Sequence, residues 1–270
     1  MVHVMKQVDY FQLKDHPSDS LPLFRYRLLA KLLYLCFHNI INIEKDSDLQ
    51  EIPHPIIFAY NHNNYYETVV LSSYLLNCWR RRISFVVDWM YGHLPILSWL
   101  LQGVQPVYVY NKRARWQFLN RRRQAVASDP IAECLDRLAQ GWSLGIFPEG
   151  SRNRHPSVLK RGRQGIGEIA LRSQVPVLPV GIDFPGRLRC GRIPSFGRII
   201  LRFGQPLYFT AEIAAWRQAQ QDDALSSVGR DKVRLYLTRR ITHSVMQELA
   251  RLSGKHYPYR QPRDVALGPT

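Results

Sequence analysis

Short apolar runs alternate with stretches of helical periodicity from about residue 55 onward. Runs rich in β-branched and aromatic residues between turn residues predict strands, whereas apolar residues every three or four positions predict helices. The predicted strands are 55–60, 83–88, 106–110, 142–147, 177–182 and 199–203, and the predicted helices are 67–79, 91–101, the segment that Asp129 caps and Gly141 ends, 163–173 and 229–252. This alternation predicts an α/β fold with a mainly parallel central sheet flanked by helices.

The segment before the first strand has a different pattern. Residues 21–41 are strongly apolar, but Arg25, Arg27 and Lys31 interrupt them, which predicts an N-terminal amphipathic helix. Such a helix can lie in a membrane interface with its cationic side chains extended to the headgroups, or it can pack on its own domain. We therefore expect a membrane-associating segment at 1–50, a main folded domain at 51–252 and a loose C-terminal tail at 253–270.

The least charged long stretch, residues 89–111, has the length of a membrane span. Gly92, Pro95, Gly103 and Pro106 interrupt it, so a helix, a turn and a strand are the favoured interpretation. The first twenty residues lack the basic start, apolar core and cleavage site of a secretory signal.

The charge balance predicts anionic partners. The chain has 37 Lys and Arg against 21 Asp and Glu, a formal net charge of +16. Nucleic acid, an anionic membrane leaflet and acidic or phosphorylated partners all fit this charge. The four cysteines are far apart and form no CxxC pair, which argues against a zinc site and a disulfide framework.

Two polar loops follow predicted strands and carry candidate catalytic groups. NHNNYYE at 61–67 contains His62, whose ordinary pKa suits a general base, and Glu67, a carboxylate that can orient an imidazole. A direct contact between the two requires His62 to lie in the loop before the helix, because residues five apart on one helix diverge. Taken alone, the pair also fits a histidine with an ordinary structural role.

FPEGSRNR at 147–154 is the second loop. Gly150 allows the backbone to approach a ligand, and an arginine can bind phosphate oxygens with two hydrogen bonds, although a solvated basic turn is the alternative. Downstream, VPVLPVGIDF carries prolines on both sides, which fits an edge strand or a strand end near a cleft. RGRQGIGEIA at 161–170 has glycines in the wrong spacing for a dinucleotide-binding loop, so no nucleotide cofactor is predicted.

Taken together and in order, these motifs resemble the glycerolipid acyltransferase family related to bacterial 1-acyl-sn-glycerol-3-phosphate acyltransferase. That family carries an NHxSxxD block, a block ending in Arg, an FPEGTRSR block and a proline-flanked apolar block. The corresponding segments here are NHNNYYE at 61–67, GVQPVYV at 103–109, FPEGSRNR at 147–154 and VPVLPVGI at 175–182, with FGQPLYF at 203–209 after them. The resemblance covers roughly residues 50–210, and FPEGSR is its most specific part.

The resemblance implies roles for individual residues. His62 would take the proton of an acceptor hydroxyl that attacks the thioester of acyl-CoA or acyl carrier protein, and Glu67 would hold the imidazole. No covalent acyl-enzyme, metal or further cofactor is implied. The residues that would bind the acceptor are Asn61, Glu149, Gly150, Ser151 and Arg152, and those expected beside the acyl donor are Pro176 and Pro179.

Two positions depart from the family pattern. Glu67 stands where the family has Asp, and Val109 stands where the second block has Arg, so that Lys112 or Arg113 would supply that phosphate contact. The implied function is acylation of a lysophospholipid, foremost 1-acyl-glycerol-3-phosphate, at the cytoplasmic face of a membrane with anionic lipids. Acylation of glycerol-3-phosphate or a non-phosphate lyso-lipid, or a silent lipid- or carrier-binding role, are the alternatives. Nucleic-acid binding through NRRRQ at 120–124 ranks lower, because no recognisable nucleic-acid-binding module accompanies it.

Overall fold

The alternating pattern produces a central sheet in the computed structural model of the protein. The structure describes residues 28, 31–32, 34–35, 41–45, 51–63, 71, 74–75, 82–93, 105–110, 129–183, 189–190, 193–194 and 199–261. Strands in these ranges are Ile41–Lys45 (β1), Ile57–Tyr60 (β2), Ile83–Asp88 (β3), Val107–Val109 (β4), Ser143–Ile146 (β5), Val177–Asp183 (β6), Arg189–Cys190 (β7), Ile193–Pro194 (β8) and Ile199–Phe203 (β9). Helices in the same ranges are Pro130–Ala139 (α1), Gly165–Ser173 (α2), Thr210–Gln221 (α3) and Ser227–Ser253 (α4), with a 3-10 turn at Trp89–His93.

Seven of these strands form one sheet in the order β1-β9-β6-β2-β5-β3-β4. Every neighbouring pair is parallel except β6 and β9, which are antiparallel. The prediction of a mainly parallel sheet flanked by helices is therefore confirmed. Strand β2 lies between β5 and β6, so the loops that follow β2 and β5 leave the sheet side by side at the same edge.

The central strands are apolar throughout because both faces of the sheet are covered. Along β2, Ile57 and Ala59 belong to one buried cluster and Phe58 and Tyr60 to another, as expected from the alternation of side chains along a strand. The first cluster includes side chains of α1, α2 and α4, and the second includes the helical residues Leu71 and Leu75. The edge at which the loops after β2 and β5 leave thus belongs to a sheet buried between two layers.

Local signals place most elements within two residues of their predicted bounds. The Asp129 carboxylate accepts a hydrogen bond from the Ile131 N–H at the start of α1, and Gly141 follows its end with φ +79°. Where helix 91–101 was predicted, the structure has the 3-10 turn, and residues 94–104 lie outside the described ranges. In that turn the Asp88 carboxylate accepts from the Met90 N–H, a local bond that satisfies a donor in this short element.

Three expectations need correction. β1 lies inside the predicted N-terminal segment 1–50, yet it pairs with β9, so the folded domain begins before residue 51. The proline-flanked strand β6 is not an edge strand, since β2 and β9 flank it. Pro179 is tolerated there because its carbonyl accepts from the Gly204 N–H, just beyond the end of β9, and its missing N–H faces the same side.

The third correction concerns the segment after α4, which was expected to be loose. The His256 N–H donates to the Ser157 carbonyl at 2.8 Å, and the His256 carbonyl accepts from the Leu159 N–H at 2.9 Å. These long-range backbone bonds hold the start of the predicted tail on the domain, whereas residues 262–270 lie outside the described part of the chain.

Six residues of the predicted N-terminal helix 21–41 are described; five are helical, and Ile41 instead begins strand β1. Tyr34 packs against Tyr74 with ring centroids 6.4 Å apart, whereas Leu28, Leu32 and Leu35 are each 51–52% exposed. Within the described ranges, no helix combines the length and the apolar composition that crossing a membrane requires.

Candidate active site

His62 lies immediately beyond the carboxyl end of β2, next to the loop that follows β5. The two loops are joined through the main chain of the histidine itself. Its N–H donates to Oε1 of Glu149 at 3.0 Å, and its carbonyl accepts from the N–H of Asn153 at 2.7 Å. Both peptide groups of the candidate base are therefore held by the FPEGSRNR loop.

The asparagines on either side of His62 attach the same loop to β6. Asn61 is fully buried, and its amide donates to the Ile182 carbonyl at 2.8 Å while accepting from the Ile182 N–H at 2.6 Å. Asn63 donates to the same carbonyl at 3.1 Å. A buried amide satisfied in this way holds its backbone firmly, so His62 sits between two fixed points.

Glu149 acts on His62 from a buried position. Only 2% of the residue is exposed, and its second oxygen, Oε2, accepts from the Lys160 N–H at 2.9 Å. The resemblance implies that this carboxylate binds the acceptor. In the structure, its two oxygens accept hydrogen bonds from two backbone N–H groups of the protein itself. Because ionised acceptors make strong hydrogen bonds, this geometry supports a role in positioning His62.

The imidazole of His62 packs on an aromatic ring from the second loop. Its centroid lies 4.5 Å from that of Phe147, with the planes inclined by 38°. Phe147 also contacts Tyr60, at 5.6 Å between centroids, so the ring under His62 is itself supported by the core. His62 is half-buried, which leaves part of its surface open to a substrate.

Gly150 makes the turn of the second loop possible. Its φ is +65°, a region that side-chain-bearing residues rarely adopt, and its N–H donates to the Phe147 carbonyl at 2.9 Å. A Cβ at this position would lie 2.8 Å from Cγ of Arg163. Glycine therefore satisfies both the backbone conformation and the close approach of the neighbouring arginine.

Lys160 is a residue of this site that the sequence analysis missed. Its Nζ donates to Oγ of Ser151 at 2.9 Å and to the carbonyl of Arg152 at 2.6 Å. One residue thus binds the loop through its main chain, at Glu149, and through its ammonium group. No local pattern distinguishes this lysine from the other basic residues of the chain, so its contacts with the loop can be recognised only in the folded structure.

Asn153 is a second residue that the motifs did not single out. It is 2% exposed; its amide donates to the Val158 carbonyl at 2.7 Å, and its Oδ1 accepts from the His155 N–H at 3.0 Å. Its position inside FPEGSRNR was the available signal. The side chain closes the loop on itself while the main chain holds His62.

The two prolines expected beside the acyl donor are not brought to His62. Pro176 precedes β6, and its carbonyl accepts from the Ile57 N–H at the start of β2. Because β2 and β6 are parallel, this end of the sheet is opposite to the catalytic edge, roughly 16 Å from His62 at about 3.3 Å per residue. Pro179 is buried in the middle of β6, in register with Ala59.

Glu67, Lys112 and Arg113 lie outside the described residues, so the orientation of His62 by Glu67 stays a prediction. Val109 ends β4 at the edge of the sheet, with β3 between it and β5. Among the described side chains, no group of three or more His, Cys, Asp or Glu is placed to hold a metal ion.

Cys134 is a buried side chain of α1 in the core. Burial raises the pKa of this thiol to about 12, so it stays protonated at neutral pH and is a poor nucleophile. The side chains of the other three cysteines are outside the described part of the structure.

Comparison with known proteins agrees with this geometry. The profile of the family described as Acyltransferase matches residues 36–183. The chloroplastic 1-acyl-sn-glycerol-3-phosphate acyltransferase LPAT1 of Arabidopsis thaliana is 25% identical over 183 residues, which are 67% of this chain and 45% of that protein. The chain therefore spans less than half the length of this curated relative.

The crystal structure of the 1-acyl-sn-glycerophosphate (LPA) acyltransferase PlsC from Thermotoga maritima is similar in fold. It matches with a TM-score of 0.51 and 16% identity, covering 90% of this chain and 86% of that one. The family profile covers more than half of the 270 residues and contains both loops that meet at His62. The chain accordingly belongs to the acyltransferase family, as its NHNNYYE and FPEGSR motifs predict.

Proposed function

We propose that the protein transfers a fatty acyl group from acyl-CoA or acyl carrier protein to a hydroxyl of a lysophospholipid, foremost 1-acyl-glycerol-3-phosphate. The observation that carries the proposal is the attachment of His62 to the FPEGSRNR loop through Glu149 and Asn153. This attachment brings the candidate base next to the loop whose resemblance implies acceptor binding. The names of LPAT1 and PlsC, which specify this acceptor for those proteins, support the same choice.

In the proposed reaction His62 removes the proton of the acceptor hydroxyl as its oxygen attacks the thioester carbonyl. A C–O bond forms, the C–S bond breaks, and the thiolate leaving group takes the proton from the imidazolium. Glu67 accepts a hydrogen bond from the other ring nitrogen and stabilises the imidazolium, as a carboxylate does in other base-assisted acyl transfers. The acyl donor is the co-substrate, and the mechanism uses no metal and no other cofactor.

Acceptor recognition rests on the loop after β5. Ser151 and Arg152 are half-buried there, and the Lys160 ammonium contacts both of them. The ammonium donates to the hydroxyl of Ser151 and to the main-chain carbonyl of Arg152, so the loop carries two basic residues, whose charges suit a phosphate monoester. Lys112 and Arg113 are the proposed additional contacts.

Glycerol-3-phosphate and non-phosphate lyso-lipids are alternative acceptors, because the sequence departs from the family pattern at Glu67 and Val109. A silent homologue that binds lipid or carrier protein is the alternative without catalysis. His62 makes two backbone hydrogen bonds to the loop after β5, and the neighbouring Asn61 makes two to Ile182 of β6. These four bonds favour the catalytic form, since a base must be held accurately to act.

The proposed place of action is the cytoplasmic face of a membrane, with peripheral attachment. The net charge of +16 suits anionic lipids, the phosphates of CoA and the acidic surface of a carrier protein. Leu28, Leu32 and Leu35, spaced at helical intervals and half-exposed, supply apolar side chains for the lipid interface.

The test measures thiol release from acyl-CoA and from acyl carrier protein with a panel of acceptors. The panel contains 1-acyl-glycerol-3-phosphate, glycerol-3-phosphate and a monoacylglycerol. Acceptor-dependent release by the wild type, abolished in His62→Ala, is the expected result. Glu67→Asp is expected to retain activity and Glu67→Gln to lose most of it, because an amide cannot stabilise the imidazolium as a carboxylate does.

Each other outcome has a distinct meaning. Faster turnover with glycerol-3-phosphate or monoacylglycerol would replace the proposed acceptor. Wild-type activity in Glu67→Gln would show that Glu67 is not the partner of His62. No turnover with any acceptor and either donor would favour the silent homologue.

A further inference from the structure

The segment that follows α4 lies against both loops of the candidate active site. α4 ends at Gly254, whose φ of +65° turns the chain, and whose N–H donates to the carbonyls at the helix end. Residues 255–257 then run beside residues 157–159, where Val158 and His256 form a parallel bridge. This placement brings residues more than 190 positions along the chain from the first loop into contact with it.

Lys255 makes the contact with the histidine loop. Its ammonium donates to Oδ1 of Asn63 and, at 3.4 Å, to the carbonyl of His155. One cation therefore bridges the NHNN block and the loop after β5. Lys255 is half-buried, so its side chain is partly shielded from water.

The neighbouring residues make this bridge part of a larger attachment. His256 forms two backbone hydrogen bonds with Ser157 and Leu159, at 2.8 and 2.9 Å. The Tyr257 hydroxyl accepts from the Gly162 N–H at 3.4 Å, and its ring lies 5.5 Å from that of His243 on α4. Lys160, which holds Ser151 and Arg152, lies between these attachment points.

The direction of each bond explains what Lys255 contributes. A lysine ammonium only donates, so it binds the oxygen of the Asn63 amide and leaves the NH₂ group aimed at the Ile182 carbonyl. Hydrogen bonds to β6 and to Lys255 therefore hold Asn63 in one orientation. Because His62 precedes Asn63 directly, its main chain is held as well. A displacement of about 1 Å at a catalytic group can cost on the order of 100-fold in rate.

We propose that Lys255 is a positioning residue of the active site, acting on His62 through Asn63, and that segment 255–257 is required for full activity. The kinetic part of this inference rests on the proposed function, since it concerns the same base. Lys255 acts through Asn63 and does not itself touch the reacting atoms.

The test is a double-mutant cycle between Lys255→Met and Asn63→Ala, with thermal melting to confirm folding. Lys255→Met is expected to lower kcat about tenfold and to leave KM for the acyl donor within about twofold. The double variant is expected to be no slower than the slower single variant, because each substitution alone already removes the hydrogen bond between Lys255 and Asn63. Lys255→Arg keeps a donor cation and is expected to recover most of the activity.

Lys232→Met is the matched control, since Lys232 is an exposed lysine of α4, the helix that precedes Lys255. It is expected to keep wild-type kcat. Additive effects in the cycle, or no recovery in Lys255→Arg despite correct folding, would overturn the proposal. If Lys232→Met lowered kcat as much as Lys255→Met does, the proposal would be overturned as well, because the loss of one positive charge anywhere on the protein would then explain the effect.

Hydrogen exchange separates this inference from the proposed function, since it needs no turnover. The amides of His62 and Asn153 are hydrogen-bonded across the two loops, and Lys255→Met is expected to speed their exchange about tenfold, with Lys232→Met unchanged. Faster exchange in Lys255→Met, combined with a wild type that turns over no acceptor, would support the attachment and refute the acyltransferase activity. Unchanged exchange in Lys255→Met would refute the attachment whether or not the enzyme is active.

Discussion

At the scale of single residues, the candidate site depends on buried polar side chains whose hydrogen bonds are made to other groups of the protein. Glu149 is the clearest case, because its two oxygens accept from the N–H groups of His62 and Lys160. The sequence motif predicts that a glutamate matters here but not what it contacts. The structure supports a positioning role, and that role has a different kinetic consequence from direct contact with the acceptor.

We predict that Glu149→Gln lowers kcat at least tenfold and lowers the free energy of unfolding by about 1–3 kcal/mol. A glutamine must present its NH₂ group to one of the two backbone N–H donors, so one hydrogen bond is lost and that donor stays buried without it. Steady-state kinetics and urea unfolding measure the two effects, with the exposed Glu51→Gln as control. A selective rise in KM for the acceptor, with kcat and stability unchanged, would instead indicate direct contact with the substrate.

At the scale of elements, the glycine-rich segment before and within α2 serves helix packing. A Cβ at Gly167 would lie 2.2 Å from the Thr238 carbonyl of α4, and one at Gly162 would lie 2.6 Å from Cγ of Met246. Gly165, between them, has no atom within 4 Å of such a Cβ. The glycines of this segment superficially resemble those of a dinucleotide-binding loop. At Gly162 and Gly167 the close approach of α4 explains why a glycine is present.

We predict that Gly167→Ala destabilises the protein by about 2 kcal/mol or more, because the added methyl forces α2 away from α4. Gly165→Ala, on the same helix, is expected to be neutral or to stabilise by a few tenths of a kcal/mol, since it restricts the unfolded chain without a clash. Urea unfolding followed by circular dichroism compares the pair. Equal stability of the two variants would contradict the packing role of Gly167.

At the scale of the whole molecule, charge and exposed apolar side chains favour a membrane surface as the place of action. The excess of 16 positive charges acts over the whole protein, whereas Leu28, Leu32 and Leu35 concentrate apolar area in one segment. Electrostatic attraction and apolar insertion together bind an interface more strongly than either alone.

We predict that the protein cosediments with vesicles containing phosphatidylglycerol and less with pure phosphatidylcholine. Changing Leu28, Leu32 and Leu35 to Gln is expected to reduce vesicle binding about tenfold, because the apolar insertion is lost. Val228→Gln with Leu235→Gln is the control, since both are exposed apolar side chains of α4. Equal loss in the control would refute a specific N-terminal contact. Steeply salt-dependent binding to nucleic acid, without vesicle binding, would favour the nucleic-acid interpretation.

Local sequence patterns predict most of the strands and helices and single out the two candidate loops, whereas β1, β7, β8 and α3 were not predicted. Capping at Asp129, the glycine after α1 and the apolar runs of β3 and β9 act over a few residues, so local pattern is enough to place them. In a mainly parallel sheet the carboxyl ends of the strands lie at one edge, so the loops that follow such strands also lie at that edge. For this reason the juxtaposition of NHNNYYE and FPEGSR could be predicted before the fold was known.

The way those loops are held depends on contacts between residues that are far apart in the chain. The bond from His62 to Glu149 spans 87 residues, and that from Asn63 to Lys255 spans 192. No local periodicity encodes such pairs, since the first requires β2 to pair with β5, and the second requires α4 to pack on β6 and the chain to turn at Gly254. The same reason explains why the segment after α4, which was expected to be loose, is instead held on the domain by the backbone bonds of His256 to Ser157 and Leu159.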